Sequence, residues 1–274
     1  MESRHEKMTM ESFERMPHRL GWKYEYGDGL AHITPGHHSV MTFLDLSDET
    51  PRQRVIENVR VTEIDAATDH QPMLDLYVLA FLETYEFCDS LFEDIIETAS
   101  KDIAGFLNET RGPINRASRV AIDTTSGALI GATLIADTQP NLTLDPEDVP
   151  GPEQRLLLVD QAWQRQGLGQ ALLGAACAAL RAHGKGCLRS RYAVGNEPSQ
   201  HWHHQAGFVD RPGPLALSHY LMHARWELAR LKNAGELDDA EICQREEAFD
   251  ELSKERERLM TLSCQAKESY NGKS

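Results

Sequence analysis

Several things this chain lacks narrow its class before any motif is read. No apolar run approaches the roughly 20 residues that a helix needs to cross a bilayer, and the opening stretch MESRHEKMTMESFERM is charged throughout, with no apolar signal segment. A membrane or exported protein is therefore not expected; a cytoplasmic one is. The five cysteines, Cys88, Cys177, Cys187, Cys243 and Cys264, are scattered, odd in number and never paired as CxxC, so neither a disulfide framework nor a thiolate zinc site is expected. Without a secretory signal, the glycosylation patterns at Asn108 and Asn141 are chance matches. Cationic residues are also scarce: 28 Lys and Arg against 43 Asp and Glu leave a formal charge of -15. That balance opposes binding to nucleic-acid backbone or anionic lipid and favours a cationic small molecule or a basic protein as partner. No internal repeat is visible.

What is present is a chain of 274 residues, 41% of them hydrophobic, enough for a sizeable core in one or two domains. WKYEY and LAHIT alternate in strand fashion around Gly27, Asp28 and Gly29, which reads as a β-hairpin. DETPRQR, Asp48 to Arg54, reads as a linker. From Val59 the pattern becomes a strand (RVTEI), helical spacing between about residues 69 and 107, and a hairpin of SRVAID and ALIGATLIA across Thr124 to Gly127. A polar, proline-rich loop, DTQPNLTLDPEDVPGPE, leads to the strand RLLLVD. QALLGAACAALRAHG is then a small-residue helix stopped at Gly184, CLRSRYAV a strand, and Asn196 opens a short helix with Pro198 in its first turn. PLALSHYLMHA reads as a closing strand. Beyond Arg225 the chain is rich in charge and helix formers, with a fragmentary heptad at Ile242, Phe249, Leu252 and Leu259 interrupted by Arg256. That helix either packs on its own domain or makes a homodimer. The expected class is α+β.

The stretch QRQGLG, Gln164 to Gly169, lies between a strand and a helix. Its amides would converge at a helix N-terminus, where unpaired N–H groups and the dipole favour a phosphate. The dinucleotide fingerprint would need a third glycine at Leu172 and an acid some twenty residues on, where Lys185 and Arg189 stand. The Gly-Lys-Ser/Thr of a P-loop is absent as well.

VDQAWQRQGLGQALL (159–173) resembles the acetyl-CoA signature of the GNAT superfamily of N-acetyltransferases, Q/R-x-x-G-x-G/A between a strand and a helix. NEPSQHWHHQAGF (196–208) resembles the second signature of that superfamily, an Asn-led helix that ends in Gly-Phe before a strand. The two are joined by the expected helix and strand, and the resemblance covers about Val59 to Arg225. It implies a GNAT acyl-CoA N-acyltransferase fold: a mixed central sheet flanked by helices, here over residues 57–226. An N-terminal extension with a β-hairpin (1–56) and a C-terminal helical segment (227–274) would flank it.

The resemblance further implies that acetyl-CoA is the acyl donor and a primary amine, on a small molecule or a peptide, the acceptor. The main chain of Leu157 to Val159 would meet the pantetheine arm, and the amides of Gln164, Arg165, Gln166, Gly167, Leu168, Gly169 and Gln170 the pyrophosphate. Asn196 would contact the cofactor arm or only cap its helix, and Ser199 is a further contact. Glu153 matches the glutamate base of histone-type members, the alternatives being a solvated loop acid or, in its place, Asp160. An acid must protonate the leaving thiolate. Many members carry tyrosine four residues before the Gly of the Gly-Phe pair; here that residue is His203, which makes it the candidate acid. Glu83, Glu86 and Asp89 would attract a cationic amine or merely form a solvated face. His201 and His204 share a helix face, but no HExxH or CxxC supplies further ligands, so no metal is expected. The reading from another class is a non-catalytic acyl-CoA-binding regulatory or interaction module.

Overall fold

The structure is a computed structural model. It describes residues 4–271 apart from 37, 48–50, 52–53, 65–69, 83, 89, 111 and 142–144, and the side chains of 266–271 also fall outside it. Most of the expected linker at 48–54 therefore lies outside the described residues, as do Glu83 and Asp89.

A three-stranded antiparallel sheet comes first, in the order β1 (Arg4–Lys7), β3 (Leu30–Pro35), β2 (Trp22–Gly27), with helix α1 (Met10–Arg15) between β1 and β2. The β2–β3 hairpin is the expected one. Asp28 and Gly29 take φ of 53° and 75°, and Gly27 pairs with Leu30 across a two-residue turn.

The central sheet has seven strands in the order β10-β4-β9-β8-β7-β6-β5. These are β4 (Ser39–Asp45), β5 (Val59–Glu63), β6 (Arg119–Asp123), β7 (Leu129–Thr138), β8 (Gly151–Val159), β9 (Cys187–Ala193) and β10 (Val209–Arg211). Every pairing is antiparallel except β8 with β9, which a crossover helix, α4 (Leu168–Ala182), joins. β7 shows why the sheet is covered on both faces. Ile130 to Ala136 are all buried, and successive residues point to opposite sides. Ala132 and Leu134 meet Met73, Leu76, Ile103 and Phe106 of α2 (His70–Phe81) and α3 (Phe92–Leu107), while Ile135 meets Leu173 and Leu180 of α4. Fully burying side chains such as Leu172, Leu173 and Leu180 contributes about 1.5–3 kcal/mol each.

Three expectations change. β4 lies within the segment expected as an extension, yet it occupies the central sheet between β9 and β10, so residue 56 does not separate the two sheets. Its sequence SVMTFLD has buried residues at 40–42 in succession, a short apolar run that carries no alternation. β8 begins at Gly151, four residues before the expected strand, which moves Glu153 out of the loop and into the sheet. PLALSHYLMHA is not a strand but the start of helix α6 (Pro214–Ala234). Pro214 occupies its first turn, and the buried Pro214, Ala216, Leu217 and His219 sit within one turn and a half of helix.

After Gly235, which ends α6 at a φ of 67°, α7 (Asp239–Asn271) folds back along α6. Ile242, Phe249 and Leu252 are partly covered and Leu259 is buried. Arg256, which breaks the heptad, donates from Nε to Ser218 Oγ of α6 at 2.6 Å. The heptad face therefore packs on its own chain.

The N-terminal sheet is held to α6 by aromatic stacking. The His18 ring lies between Tyr24, 3.7 Å away and 5° from parallel, and Trp226, at 4.1 Å and 10°. The Gly21 N–H donates to His219 Nε2 at 3.0 Å, and the Gly21 carbonyl accepts from Gly36 N–H at 2.6 Å and from the Tyr85 hydroxyl. Gly21, with φ of 86°, has no room for a side chain: a Cβ would lie 2.2 Å from the Val194 carbonyl oxygen.

Burial pushes His18 and His219 down to about 4; Glu227 opposes the shift at His18, whereas His38 and His223 add to it at His219. Both are neutral in the fold but protonate near 6.5 once unfolded. The unfolded chain thus binds more protons between these limits. The contribution is complete above about pH 6.5 and is lost as pH falls toward 4. Thermal unfolding scans should show a falling midpoint across that window, and His219→Gln should flatten the slope.

Candidate active site

β8 and β9 share one paired position, Glu153 with Arg189, and diverge beyond it. A buried ion pair fixes that vertex. Arg189 is 1% exposed, and its Nη1 donates to both Asp148 oxygens at 2.8 and 2.7 Å. Its Nη2 donates to the carbonyls of Thr138 and Gly151 at 3.0 and 2.7 Å, so the two ends of the β7–β8 loop close on one guanidinium. Where the strands part, a cavity of about 940 Å³ opens, lined among others by Leu157, Val159, Ser190, Asn196, Ser199 and His203.

The glycine loop meets this cavity from the α4 side. Gln164 donates its side-chain amide to the Val159 carbonyl at 3.2 Å, and Gln166 donates to Ala162 at 2.7 Å, which fixes the turn. Arg165 and Gly167 take positive φ, 59° and 86°, and Gly167 caps α4, so the amides of Leu168, Gly169 and Gln170 form the open first turn of a helix. The guanidinium of Arg54 lies over this cap. A Cβ on Gly167 would sit 2.5 Å from Arg54 Nη1 and would push the guanidinium aside.

His203 of helix α5 (Glu197–Gln205) is 4% exposed. Its Nδ1 lies 2.7 Å from the Ser199 carbonyl, which can only accept, so Nδ1 carries the proton. Nε2, 2.9 Å from Ser190 Oγ, then accepts from that hydroxyl. Ser190 Oγ is also 3.2 Å from Gln154 Oε1, and Gln154 donates to Thr133 Oγ1 at 2.8 Å. Burial pushes His203 down to about 4, against opposing pulls from the Ser199 carbonyl and Asp210. The imidazole is thus neutral near pH 7.

The other expected residues separate. Glu153 is 4% exposed and outside the cavity lining. Its Oε2 accepts from Thr138 Oγ1 at 2.8 Å, and its Oε1 meets Arg155 Nη1 at 2.7 Å and Arg191 Nη2 at 3.3 Å. Asp160 accepts from the Ala162 N–H at the turn after β8. Asn196 caps α5, accepting from the Ser199 N–H at 3.0 Å, and its amide donates to Glu86. His204 contacts Asp210 at 2.9 Å, and His201 faces solvent. Trp202 packs beside Phe208 and Ala206 while its indole edge reaches Gly169.

Sequence reasoning missed Ser190, Arg54, Arg155 and Arg191. The signal for two of them, Ser190 and Arg191, was available: in CLRSRYAV, arginines two apart in a strand flanked by apolar residues share one face and leave Ser190 on the other. Arg54, in a segment without motif, gave none.

The site thus lies where the one parallel strand pair of the mixed sheet parts beside a glycine-capped helix. Residues 82–208 match the Acetyltransferase (GNAT) family, whose general chemistry is acyl-CoA-dependent acetyl transfer. No curated protein matches the chain. Among solved structures it is similar to a GCN5-related N-acetyltransferase from Sphaerobacter thermophilus, at 15% identity and a TM-score of 0.45, over 74% of this chain and 52% of that one. The chain thus spans about half the length of that protein. A GCN5-related N-acetyltransferase from Ralstonia eutropha JMP134 gives 14% identity and a TM-score of 0.41, over 55% of this chain and 92% of that one. The paiA N-acetyltransferase of Thermoplasma acidophilum, solved in complex with coenzyme A, gives 15% and 0.41, over 55% and 89%.

Proposed function

We propose that this protein transfers an acetyl group from acetyl-CoA to a primary amine, with the Ser190–His203 pair carrying the proton. The observation that supports this most is the 2.9 Å contact between His203 Nε2 and Ser190 Oγ on the wall of the cavity that opens between β8 and β9. The chain's own groups suit the donor: a glycine cradle at a helix N-terminus for the pyrophosphate, and strand edges that part to leave main-chain groups for an amide-bearing arm. When bound, acetyl-CoA supplies a thioester whose carbonyl carbon takes the amine and whose thiolate departs.

Attack by the amine releases a proton. Ser190 Oγ receives it as its own proton passes to His203 Nε2, which is neutral and oriented to accept. Once His203 is charged, Nε2–H donates to Ser190 Oγ, whose hydroxyl turns to Gln154 Oε1. Return of the proton through Ser190 to the thiolate restores the starting state. One imidazole thereby acts as base and then as acid, and Glu153, already engaged by two arginines, is not needed as the base.

Thiol release from acetyl-CoA with a panel of amines tests the reading. Release that depends on the amine supports it; saturable binding without release under any amine would favour the regulatory module. Arg54→Ala should weaken acetyl-CoA binding about three- to tenfold by titration calorimetry, with kcat little changed, as expected for one charge-assisted phosphate contact. Unaltered affinity would take Arg54 out of the site.

A further inference from the structure

A side compartment of about 200 Å³ adjoins the main cavity. It is lined by Asp102 and Phe106 of α3, Arg155 and Leu156 of β8, and Arg191 of β9. Leu156 and Phe106 belong to the core on the α2–α3 side of the sheet, whereas Leu157 and Val159 face α4 and the glycine loop. A ligand here approaches the splay from the face opposite the acyl donor, where an acceptor must lie for its amine to meet the thioester.

The arginines are placed deliberately by the backbone and by one acid. In the β7–β8 ladder Leu134 faces Leu156 and Ile135 faces Gln154, so Arg155 is the extra residue of a bulge, a device that re-aims a side chain. Glu153, its side chain 5% exposed, draws both guanidinium groups to a single oxygen, at 2.7 and 3.3 Å. That fixes two forks side by side. Each guanidinium has five N–H donors, and Arg155 Nε is buried with no hydrogen-bond partner among the described residues. A buried donor left so is destabilising unless a ligand meets it. Across the compartment Asp102 accepts from the Tyr77 hydroxyl at 2.9 Å.

Charge decides what kind of anion fits. Arg155 and Arg191 are balanced by Glu153 and Asp102, so the compartment offers opposed charges and no net positive field. A phosphate dianion would leave it negative. A singly charged carboxylate adds half that charge, an ammonium on the same molecule offsets it as the acceptor enters, and its planar oxygens match the guanidinium forks.

We infer that this compartment binds the carboxylate of an amino-acid-like acceptor, an amine that carries its own carboxyl group, through Arg155 and Arg191. The acceptor role rests on the acetyl-transfer reading above; the carboxylate binding does not.

The test pairs each amino acid with its decarboxylated amine: L-phenylalanine with phenethylamine, and L-lysine with cadaverine. For at least one pair, kcat/KM should favour the carboxylated member tenfold or more. Arg155→Gln and Arg191→Gln should each cut that ratio at least tenfold. Protection against thermal unfolding by the same four compounds gives a readout without turnover. If no amine releases thiol but the amino acids protect the wild type and not the variants, the acetyl-transfer reading fails and the carboxylate site stands. Equal use and equal protection by both members of every pair, or a ratio unmoved in both variants, would overturn the inference.

Discussion

Asp148→Ala is expected to destabilise the fold by about 3–5 kcal/mol, because it leaves the Arg189 guanidinium charged and buried without its counter-ion. Both side chains are at 1% exposure or less, so solvent cannot replace the lost carboxylate. For a chain of this size the unfolding midpoint should fall by roughly 10 °C or more. The double replacement Asp148→Leu with Arg189→Met should recover much of the loss, since it removes both desolvation penalties and leaves an apolar pair. The acyl donor should nevertheless bind less tightly to that double variant. Arg189 ties Gly151 to Thr138 at the point where β8 and β9 pair, and the width of the opening beyond depends on that tie. Chemical denaturation and a donor titration on the same three proteins read the two effects separately. A single variant within 1 kcal/mol of wild type would show that the pair does not hold the vertex.

His203→Phe should lower kcat by about 10²–10⁴-fold with acetyl-CoA affinity nearly unchanged, the range typical of a lost general acid–base group. Phenylalanine fills a similar volume beside Tyr192, Trp202 and Phe208, so packing is conserved. Ser190→Ala should reproduce most of the loss, and the double variant should be little worse than either single one, because the two act as one unit. pH adds a readout that a structural role would not move. With His203 held down to about 4, the rate should show no inflection near 6.5, and should decline only as pH approaches that lower value or as the amine itself becomes protonated. An inflection near 6.5 that disappears in His203→Phe would mean that the imidazole titrates as if exposed. Full turnover in His203→Phe would move the proton to another group.

The motifs legible in the sequence are those in which local geometry and chemistry coincide. Gln164 to Gly169 had to form a turn before a helix wherever the chain placed it, and Asn196 with Pro198 had to start one. His203 was found by its position in a motif, but its protonation was not, because burial under α5 and the sheet sets it. Glu153 shows the limit most clearly. Its spacing to Leu157 matched a base, yet what it does depends on a bulge at Arg155 and on Arg191 arriving from a different strand. Arg54 is invisible for a related reason: nothing adjacent in the chain says that it will lie over Gly167. Misreading the start of α6 as a strand came from a short apolar run whose period is ambiguous until its partners are known.

The position of β4 also bears on how the chain reaches its fold. Ser39 pairs with Ala193 on one side of that strand, and Phe43 with Val209 on the other. During synthesis the strand emerges early, and both of its partners emerge only after the glycine loop and α4 have been made. Its apolar residues Val40, Met41 and Leu44 must wait unpaired through that interval, and closing so long a loop is slow. The N-terminal strand can therefore be seated only after both β9 and β10 have been made. A pause before β10 would hold the chain in an aggregation-prone state with the edge of β9 open.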